Sequence, residues 1–145
     1  MNILFVCTGN TCRSPMAEAI CKEKTDAHAV QSAGVFANDG APATFQAIEA
    51  MDKRGIRLDH QSQTVDESLL SWADIVLTMT ESHKQLLNDY FPQYADKIYS
   101  LIQYATKGNE KNKQIADPFG GDVALYIETA NEIEKYIELL LKRME

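Results

Sequence analysis

Apolar and polar positions along this chain follow two alternating patterns. Residues 2–6 and 75–79 are almost wholly apolar, which is typical of strands buried on both faces of a parallel sheet. Residues 28–33, which end at Gly34, are predicted as a further strand, and residues 97–101 as a weaker one. The pattern therefore predicts four strands.

The segments between these runs carry apolar residues at helical spacing. In the second such segment we expect Phe45, Ile48 and Met51 to form the buried face. Capping residues and helix breakers mark most of the boundaries. The pattern predicts one helix from Pro15, one from Pro42 to Gly55, a short one capped by Asp66, and one from Thr80 to about Phe91.

A longer helix is predicted from about Asp122 to the end of the chain. Its apolar residues recur in steps of four and three, which places them on one stripe of the helix surface. We expect that stripe to pack in the core. Its members are Tyr126, Ala130, Ile133, Ile137, Leu140 and Met144.

The alternation of strands and helices predicts an α/β fold. We expect a doubly wound sandwich, with a central parallel sheet of about four strands and helices on both faces. The 145 residues are enough for one domain, residues 1–145, with its own core. Ligands of such folds bind at the carboxyl ends of the strands, and Cys7 follows the first strand directly.

Composition narrows the possible partners. The formal net charge is −7, and no basic patch is evident, so we expect no binding to nucleic acid or to an anionic membrane. No apolar segment approaches the ~20 residues of a membrane span, and no signal peptide is evident. Three cysteines, two of them five residues apart, favour reduced thiols over a disulfide framework. We expect a cytoplasmic monomer.

The segment from Cys7 to Ser14 carries the strongest chemical signal. It reads Cys-Thr-Gly-Asn-Thr-Cys-Arg-Ser and predicts a tight loop between a strand and a helix. Successive backbone N–H groups at a helix N-terminus bind phosphate-sized anions, and the guanidinium of Arg13 fits two phosphate oxygens. A thiol in that field ionises readily, so we expect Cys7 to be a nucleophilic thiolate. We expect Ser14 to cap the helix, with its hydroxyl also able to face the sulfur.

A second chemical signal lies near the end of the chain. Attack on a phosphate requires an acid for the leaving group, and Asp117 is the best candidate. Pro118 favours an extended conformation of Asp117, which presents the carboxyl group, and Phe119 can form an apolar wall. The alternative is that Asp-Pro followed by Gly120 and Gly121 is only turn chemistry.

The two motifs together resemble the low-molecular-weight protein tyrosine phosphatase family over the whole chain. The resemblance implies Cys7 as nucleophile through a cysteinyl phosphate, Arg13 as phosphate clamp, and Asp117 as acid and then base. It also implies that Asn10 braces the loop and that Ser14 stabilises the Cys7 thiolate, without a metal or other cofactor. The remaining substrate-binding positions of the loop and its wall are Thr8, Gly9, Thr11, Cys12 and Phe119.

Thr11 narrows the substrate class. Most tyrosine-directed members carry an aliphatic or small residue there, and Thr resembles the bacterial protein arginine phosphatase branch. A stiff, hydroxylated side chain narrows the entrance and can hydrogen-bond a guanidinium. We therefore expect phosphorylated protein substrates, with phosphoarginine favoured and phosphotyrosine as the alternative.

Two further alternatives remain. An arsenate reductase of related fold needs cysteines beyond Cys21, and the chain has none there. A phospho-residue binding module needs neither the Cys7 nucleophile nor the Asp117 acid. Redox control is also expected, with Cys12 as the resolving partner of Cys7, or else Cys21.

Other polar and aromatic residues give weaker signals. His28 and His60 receive no role, and we expect His83 to be a solvated residue of the helix surface. Trp72 is expected in the core. Asp74 is expected to brace the turn into the third strand.

Overall fold

The computed structural model describes residues 1–145, and its centre is a parallel sheet. The four strands run in the order β2-β1-β3-β4, so β1 and β3 lie side by side in the middle. This confirms the predicted doubly wound α/β architecture. The strands are β1 (Asn2–Cys7), β2 (Ala29–Gly34), β3 (Ile75–Thr78) and β4 (Ile98–Ser100).

Helices cover both faces of this sheet. The sequence pattern did not predict α5 or the 3-10 turn at Pro92–Lys97, because both are too short to show a period. The helices are α1 (Arg13–Lys24), α2 (Phe45–Asp52), α3 (Glu67–Trp72), α4 (Glu81–Tyr90), α5 (Leu101–Ala105) and α6 (Val123–Arg143).

Side chains of β1 alternate between the two layers. Ile3 and Phe5 belong to the larger core cluster, which also contains residues of α1, α2, α5 and α6. Leu4 and Val6 belong to the smaller cluster, which contains residues of α3 and α4. A strand buried on both faces explains why its sequence is continuously apolar.

Local capping sets several helix starts, and Asp66 and Thr80 are the caps that the sequence predicted. The side chains of Asp66, Thr80 and Asp122 each accept a hydrogen bond from the backbone three residues later, which satisfies an otherwise unpaired N–H. The stripe of α6 is buried from Tyr126 to Leu140, as expected. Met144 lies just past the helix end and is half-buried.

The start of α2 was predicted wrongly. The helix begins at Phe45, and Thr44 caps it, with the Thr44 side chain accepting from the N–H of Ala47. Pro42 therefore lies outside the helix. The ring of Phe45 is exposed, contrary to the prediction, whereas Met51 is buried as predicted and Ile48 is half-buried against the larger core cluster. Ala47 and Ala50 complete the buried face.

Two smaller expectations concern the amino-terminal end of β1, near Asn2. Asp74 accepts a hydrogen bond from the N–H of Asn2 at 2.7 Å, and so ties the turn before β3 to the start of β1 as predicted. Trp72 is half-buried and packs against the smaller core cluster. None of the helices is both long and apolar enough to cross a bilayer.

Candidate active site

The loop between β1 and α1 lies at the carboxyl end of the two central strands. It is held by close backbone approach, since the carbonyls of Cys7 and Thr8 accept hydrogen bonds from Val35 and Phe36. A Cβ on Gly34 would lie 2.5 Å from the carbonyl oxygen of Thr8. Only glycine therefore fits at the end of β2, where the loop packs against it.

Helix α1 begins two residues earlier than expected, at Arg13 rather than Pro15. Cys12 occupies the N-cap position, and no side chain caps the helix there. The N–H groups of the first turn therefore have no side-chain acceptor, and unpaired donors at a helix N-terminus can bind an anion. Ser14 is not the cap, contrary to the prediction, because it already lies inside the first turn.

A pocket of about 260 Å³ opens above this loop. It brings together most of the residues that the sequence singled out, including two that are more than a hundred positions apart from the loop. Asn10 and Ser14 do not line it, because both are fully buried behind the loop. The lining residues are Cys7, Thr8, Gly9, Thr11, Cys12, Arg13, Asp117 and Phe119.

The sulfur of Cys7 is almost fully buried and has one close polar neighbour. Its Sγ lies 2.8 Å from Oγ of Ser14. This is the contact that the sequence allowed as a second role for the Ser14 hydroxyl. A hydroxyl at this distance can stabilise a thiolate by donating its proton to the sulfur.

Asn10 is fixed at the turn of the loop in the left-handed region, with φ 57°. Asn tolerates this conformation better than most residues, and its side chain holds it there. Its Nδ2 donates to Ser14 Oγ at 2.8 Å and to Ser32 Oγ at 2.9 Å. Its Oδ1 accepts from the N–H of Gln63 at 3.0 Å.

The carbonyl of Asn10 is held equally firmly. Oγ of Ser62 donates to it at 2.7 Å, and Nε2 of His60 lies 2.7 Å from it. His60 thus supports the loop from a segment far away in sequence. This role of His60 was not predicted, because nothing near it in the chain signals one.

Arg13 is buried beside the pocket and oriented by two groups. One terminal nitrogen donates to the carbonyl of Ile115 at 3.0 Å, and the other lies 3.6 Å from Oδ2 of Asp117. Ile115 itself is joined to the end of β3, since its N–H donates to the carbonyl of Met79. The sheet therefore fixes the guanidinium and brings the Asp117 loop to it.

Asp117 and Phe119 form the outer wall of the pocket. Asp117 is half-exposed, and its Oδ1 accepts from the N–H of Phe119 at 3.1 Å, which makes a local Asx turn. The ring of Phe119 is exposed at the rim. The turn chemistry weighed as an alternative is thus present, and it presents the carboxyl group to the pocket.

Thr11 and Cys12 also line the pocket. Thr11 is half-buried, and its backbone carbonyl accepts from the N–H of Thr44 at 3.0 Å. Sγ of Cys12 lies 3.2 Å from the hydroxyl of Tyr126, which burial and the contact with Cys12 shift to a pKa of about 12. Tyr126 was expected only in the core, and it also reaches the loop.

His83 corrects the sequence prediction. It is 5% exposed rather than solvated, and its Nε2 lies 2.8 Å from Oγ1 of Thr8. Burial, and then the positive charge of Arg13, lower the pKa of His83 to about 4, although Asp117 opposes the shift. The helical pattern missed this because a first-turn residue of α4 faces the loop rather than solvent.

The comparisons with known proteins agree with this geometry. The family model "Low molecular weight phosphotyrosine protein phosphatase" matches residues 2–145. The protein-arginine-phosphatase of Bacillus subtilis (strain 168) is 42% identical, covering 100% of this chain and 97% of its own length. The low molecular weight protein-tyrosine-phosphatase PtpB of Staphylococcus aureus is 37% identical, covering 98% of this chain and 96% of its own length.

A solved structure is similar over nearly the whole chain. It is YwlE arginine phosphatase, as a cysteine-to-serine mutant with a phosphorylated active site serine. The two share 42% identity with a TM-score of 0.95, over 99% of this chain and 95% of that one. The resemblance drawn from the Cys7 and Asp117 motifs is confirmed, and the chain belongs to the low molecular weight phosphotyrosine protein phosphatase family.

Proposed function

We propose that this chain is a protein-arginine phosphatase that works through a cysteinyl phosphate. The observation that carries the proposal is the polar wall of the pocket. A hydroxyl on Thr11 and the carboxyl group of Asp117 line the same pocket as the Cys7 sulfur. Their oxygens can accept hydrogen bonds from a guanidinium, which offers several N–H donors, whereas a phenyl ring offers none.

In the first step of the reaction, the Cys7 thiolate attacks phosphorus. The loop N–H groups and the Arg13 guanidinium bind the phosphoryl oxygens and stabilise the charge that develops on them. The bond from phosphorus to the guanidine nitrogen breaks, and Asp117 gives that nitrogen a proton. The products are the free arginine side chain and phosphate bound to sulfur.

In the second step, water hydrolyses the cysteinyl phosphate. Asp117, now deprotonated, takes a proton from the water as it attacks phosphorus. The sulfur leaves as a thiolate, and the Ser14 hydroxyl at 2.8 Å stabilises it. Free phosphate and the starting enzyme are restored.

The relatives support both parts of the proposal. One of them, at 42% identity, is named a protein-arginine-phosphatase. In the similar solved structure, the serine in the active site carries the phosphate, which supports covalent transfer to the equivalent position. The roles of Arg13, Asp117 and Ser14 rest on their positions around the Cys7 sulfur.

The test compares a phosphoarginine peptide with a phosphotyrosine peptide of the same sequence context. We expect a higher kcat/KM for phosphoarginine. Thr11→Ile should lower kcat/KM for phosphoarginine about tenfold or more, because a hydrogen bond to a charged group is lost, and should leave phosphotyrosine hydrolysis level or faster. Thr11→Ser keeps the hydroxyl and is the matched control.

A tyrosine-directed activity is the second candidate. The exposed ring of Phe119 at the rim can stack on a phenyl ring, and PtpB of Staphylococcus aureus is named a tyrosine phosphatase. A wild-type enzyme that prefers the phosphotyrosine peptide, with a ratio unmoved by Thr11→Ile, would favour this candidate.

A further inference from the structure

Thr8 and His83 form a polar pair that the reaction described above does not use. Thr8 follows the nucleophile directly, is exposed, and lines the pocket, while His83 lies behind it in the first turn of α4. Oγ1 of Thr8 and Nε2 of His83 are 2.8 Å apart. The pair connects Thr8, which lines the pocket, with the buried side chain of His83 on α4.

The position of His83 is firmly fixed. Its backbone N–H donates to Oγ1 of Thr80, the capping residue of α4, at 3.2 Å. The hydroxyl of Thr78 at the end of β3 in turn donates to the carbonyl of Thr80 at 2.8 Å. The imidazole is therefore anchored to the central sheet.

The second ring nitrogen of His83 indicates which atom carries the proton. Nδ1 is buried and has no hydrogen-bond partner. A buried N–H without an acceptor is rarer in proteins than an unpaired acceptor, so we assign the single proton of the neutral ring to Nε2. His83 then donates to Thr8, and the lowered pKa of His83 agrees with a neutral ring.

When His83 is the donor, the Thr8 hydroxyl can still bond to a group in the pocket, which Thr8 lines. Its oxygen has accepted one hydrogen bond and keeps one lone pair and its own proton. Because the loop N–H groups and Arg13 hold the phosphoryl group at the floor, the exposed Thr8 side chain faces the group that carries the phosphate. A guanidinium N–H can donate to the free lone pair.

We infer that Thr8 is a specificity-determining residue for the phosphorylated side chain, and that His83 is the positioning residue that orients its hydroxyl. The inference deepens the proposed function, on which it rests. Together with Thr11, Thr8 gives the pocket a second hydroxyl that favours a guanidinium over a phenyl ring.

The experiment measures kcat/KM for matched phosphoarginine and phosphotyrosine peptides. Thr8→Val keeps the shape of the side chain and removes the hydroxyl, so phosphoarginine hydrolysis should fall about tenfold while phosphotyrosine hydrolysis changes less than about twofold. Thr8→Ser should retain most of the wild-type ratio of kcat/KM for phosphoarginine to kcat/KM for phosphotyrosine. An unchanged ratio in Thr8→Val overturns the inference.

A double-mutant cycle tests the role of His83. His83→Leu should lower the ratio by a factor similar to that of Thr8→Val, and the two changes together should cost no more than either alone, because one acts through the other. His83→Gln, whose amide can donate from nearly the same place, should restore most of the ratio. Additive losses, or equal losses on both substrates, would show that His83 only packs.

Leu87→Val on the same helix is the control for loosened packing. Leu87 is buried one turn further along α4 and does not line the pocket. We expect its ratio to match that of the wild type, even where the protein is less stable. The wild-type ratio tests the proposed function separately, because a preference for phosphotyrosine would refute that function. The shift in the ratio caused by Thr8→Val would still show whether Thr8 and His83 influence substrate choice.

Discussion

Asn10 donates a hydrogen bond from Nδ2 to Oγ of Ser14 at 2.8 Å, which occupies one lone pair of the Ser14 oxygen. The proton of the Ser14 hydroxyl can go to the Cys7 sulfur at 2.8 Å or to the carbonyl of Ala33 at 3.5 Å, and a sulfur in its thiolate form can only accept. Behind Asn10, Ser32 accepts at 2.9 Å and donates to Glu18 at 2.6 Å. The network therefore delivers a donor to the thiolate.

Ser14→Ala should slow the breakdown of the cysteinyl phosphate more than its formation. The sulfur leaves as a thiolate in the second step, and losing a hydrogen bond to a charged group costs about tenfold or more in rate. Rapid-quench measurements should show phosphoenzyme accumulating in the variant. Ser62→Ala is the control, since it removes a buried hydroxyl that contacts Asn10 but not the sulfur, and it should leave the balance of the two steps unchanged.

Asp117→Asn should affect substrates according to their leaving groups. The amide keeps the acceptor for the N–H of Phe119 but cannot donate a proton as an acid. We expect a large loss in kcat for phosphoarginine and alkyl phosphates and a small one for an activated aryl phosphate, whose leaving group hardly needs a proton. Equal losses on both substrate classes would mean that Asp117 is only structural.

Arg13→Lys should lower kcat/KM by at least about a hundredfold, the scale seen when one preorganised donor is removed. The guanidinium reaches the Ile115 carbonyl and Asp117 with separate nitrogens. A lysine has one charged nitrogen and cannot keep this orientation while binding two phosphate oxygens. Binding of inorganic phosphate, followed by calorimetry, should weaken in parallel; a near-normal rate would contradict the clamp role.

Peroxide should inactivate the enzyme reversibly through Cys7, with Cys12 as the resolving thiol. Cys12 belongs to the same loop, whereas Cys21 is fully buried and burial raises its pKa to about 11, which disfavours the reactive thiolate. Without a resolving thiol the Cys7 sulfenic acid is open to further oxidation by excess peroxide. Thiol reductants should therefore restore less activity to Cys12→Ser than to the wild type, and as much to Cys21→Ser as to the wild type. Mass spectrometry that finds Cys7 bridged to Cys21 instead would overturn this assignment.

The stability of the protein should depend on pH through His83. Its pKa falls from 6.5 when unfolded to about 4 when folded, so the unfolded state binds more protons between these values. This contribution is fully present above pH 6.5 and is lost as pH falls toward 4. The neighbouring charges are Arg13, which strengthens the shift, and Asp117, which opposes it.

Urea unfolding at several pH values checks this prediction. Between pH 7 and pH 4 the wild type should lose more free energy of unfolding than His83→Gln, which does not titrate, by on the order of 3 kcal/mol. Parallel pH profiles for the two proteins would show that folding does not lower the pKa of His83.

Local sequence patterns determined the elements of this fold. Apolar runs identified the two central strands, and the caps Asp66 and Thr80 marked helix starts, because burial and capping act over a few residues. The loop from Cys7 to Arg13 was also predicted from its sequence, because an anion-binding loop is built from consecutive backbone groups. Asp117 was singled out as a candidate because attack on a phosphate requires an acid, and its side chain lines the same pocket as Cys7.

The tertiary structure decided which side chains support that loop. His60, Ser62 and Gln63 contact Asn10 from 50 to 53 positions away, and His83 contacts Thr8 across 75 positions. No helical or strand period encodes such contacts, because they depend on how β1 and β3 pair and where the segments beyond them return. The same reason explains the error at His83, whose polar neighbours in sequence suggest solvent although packing buries it.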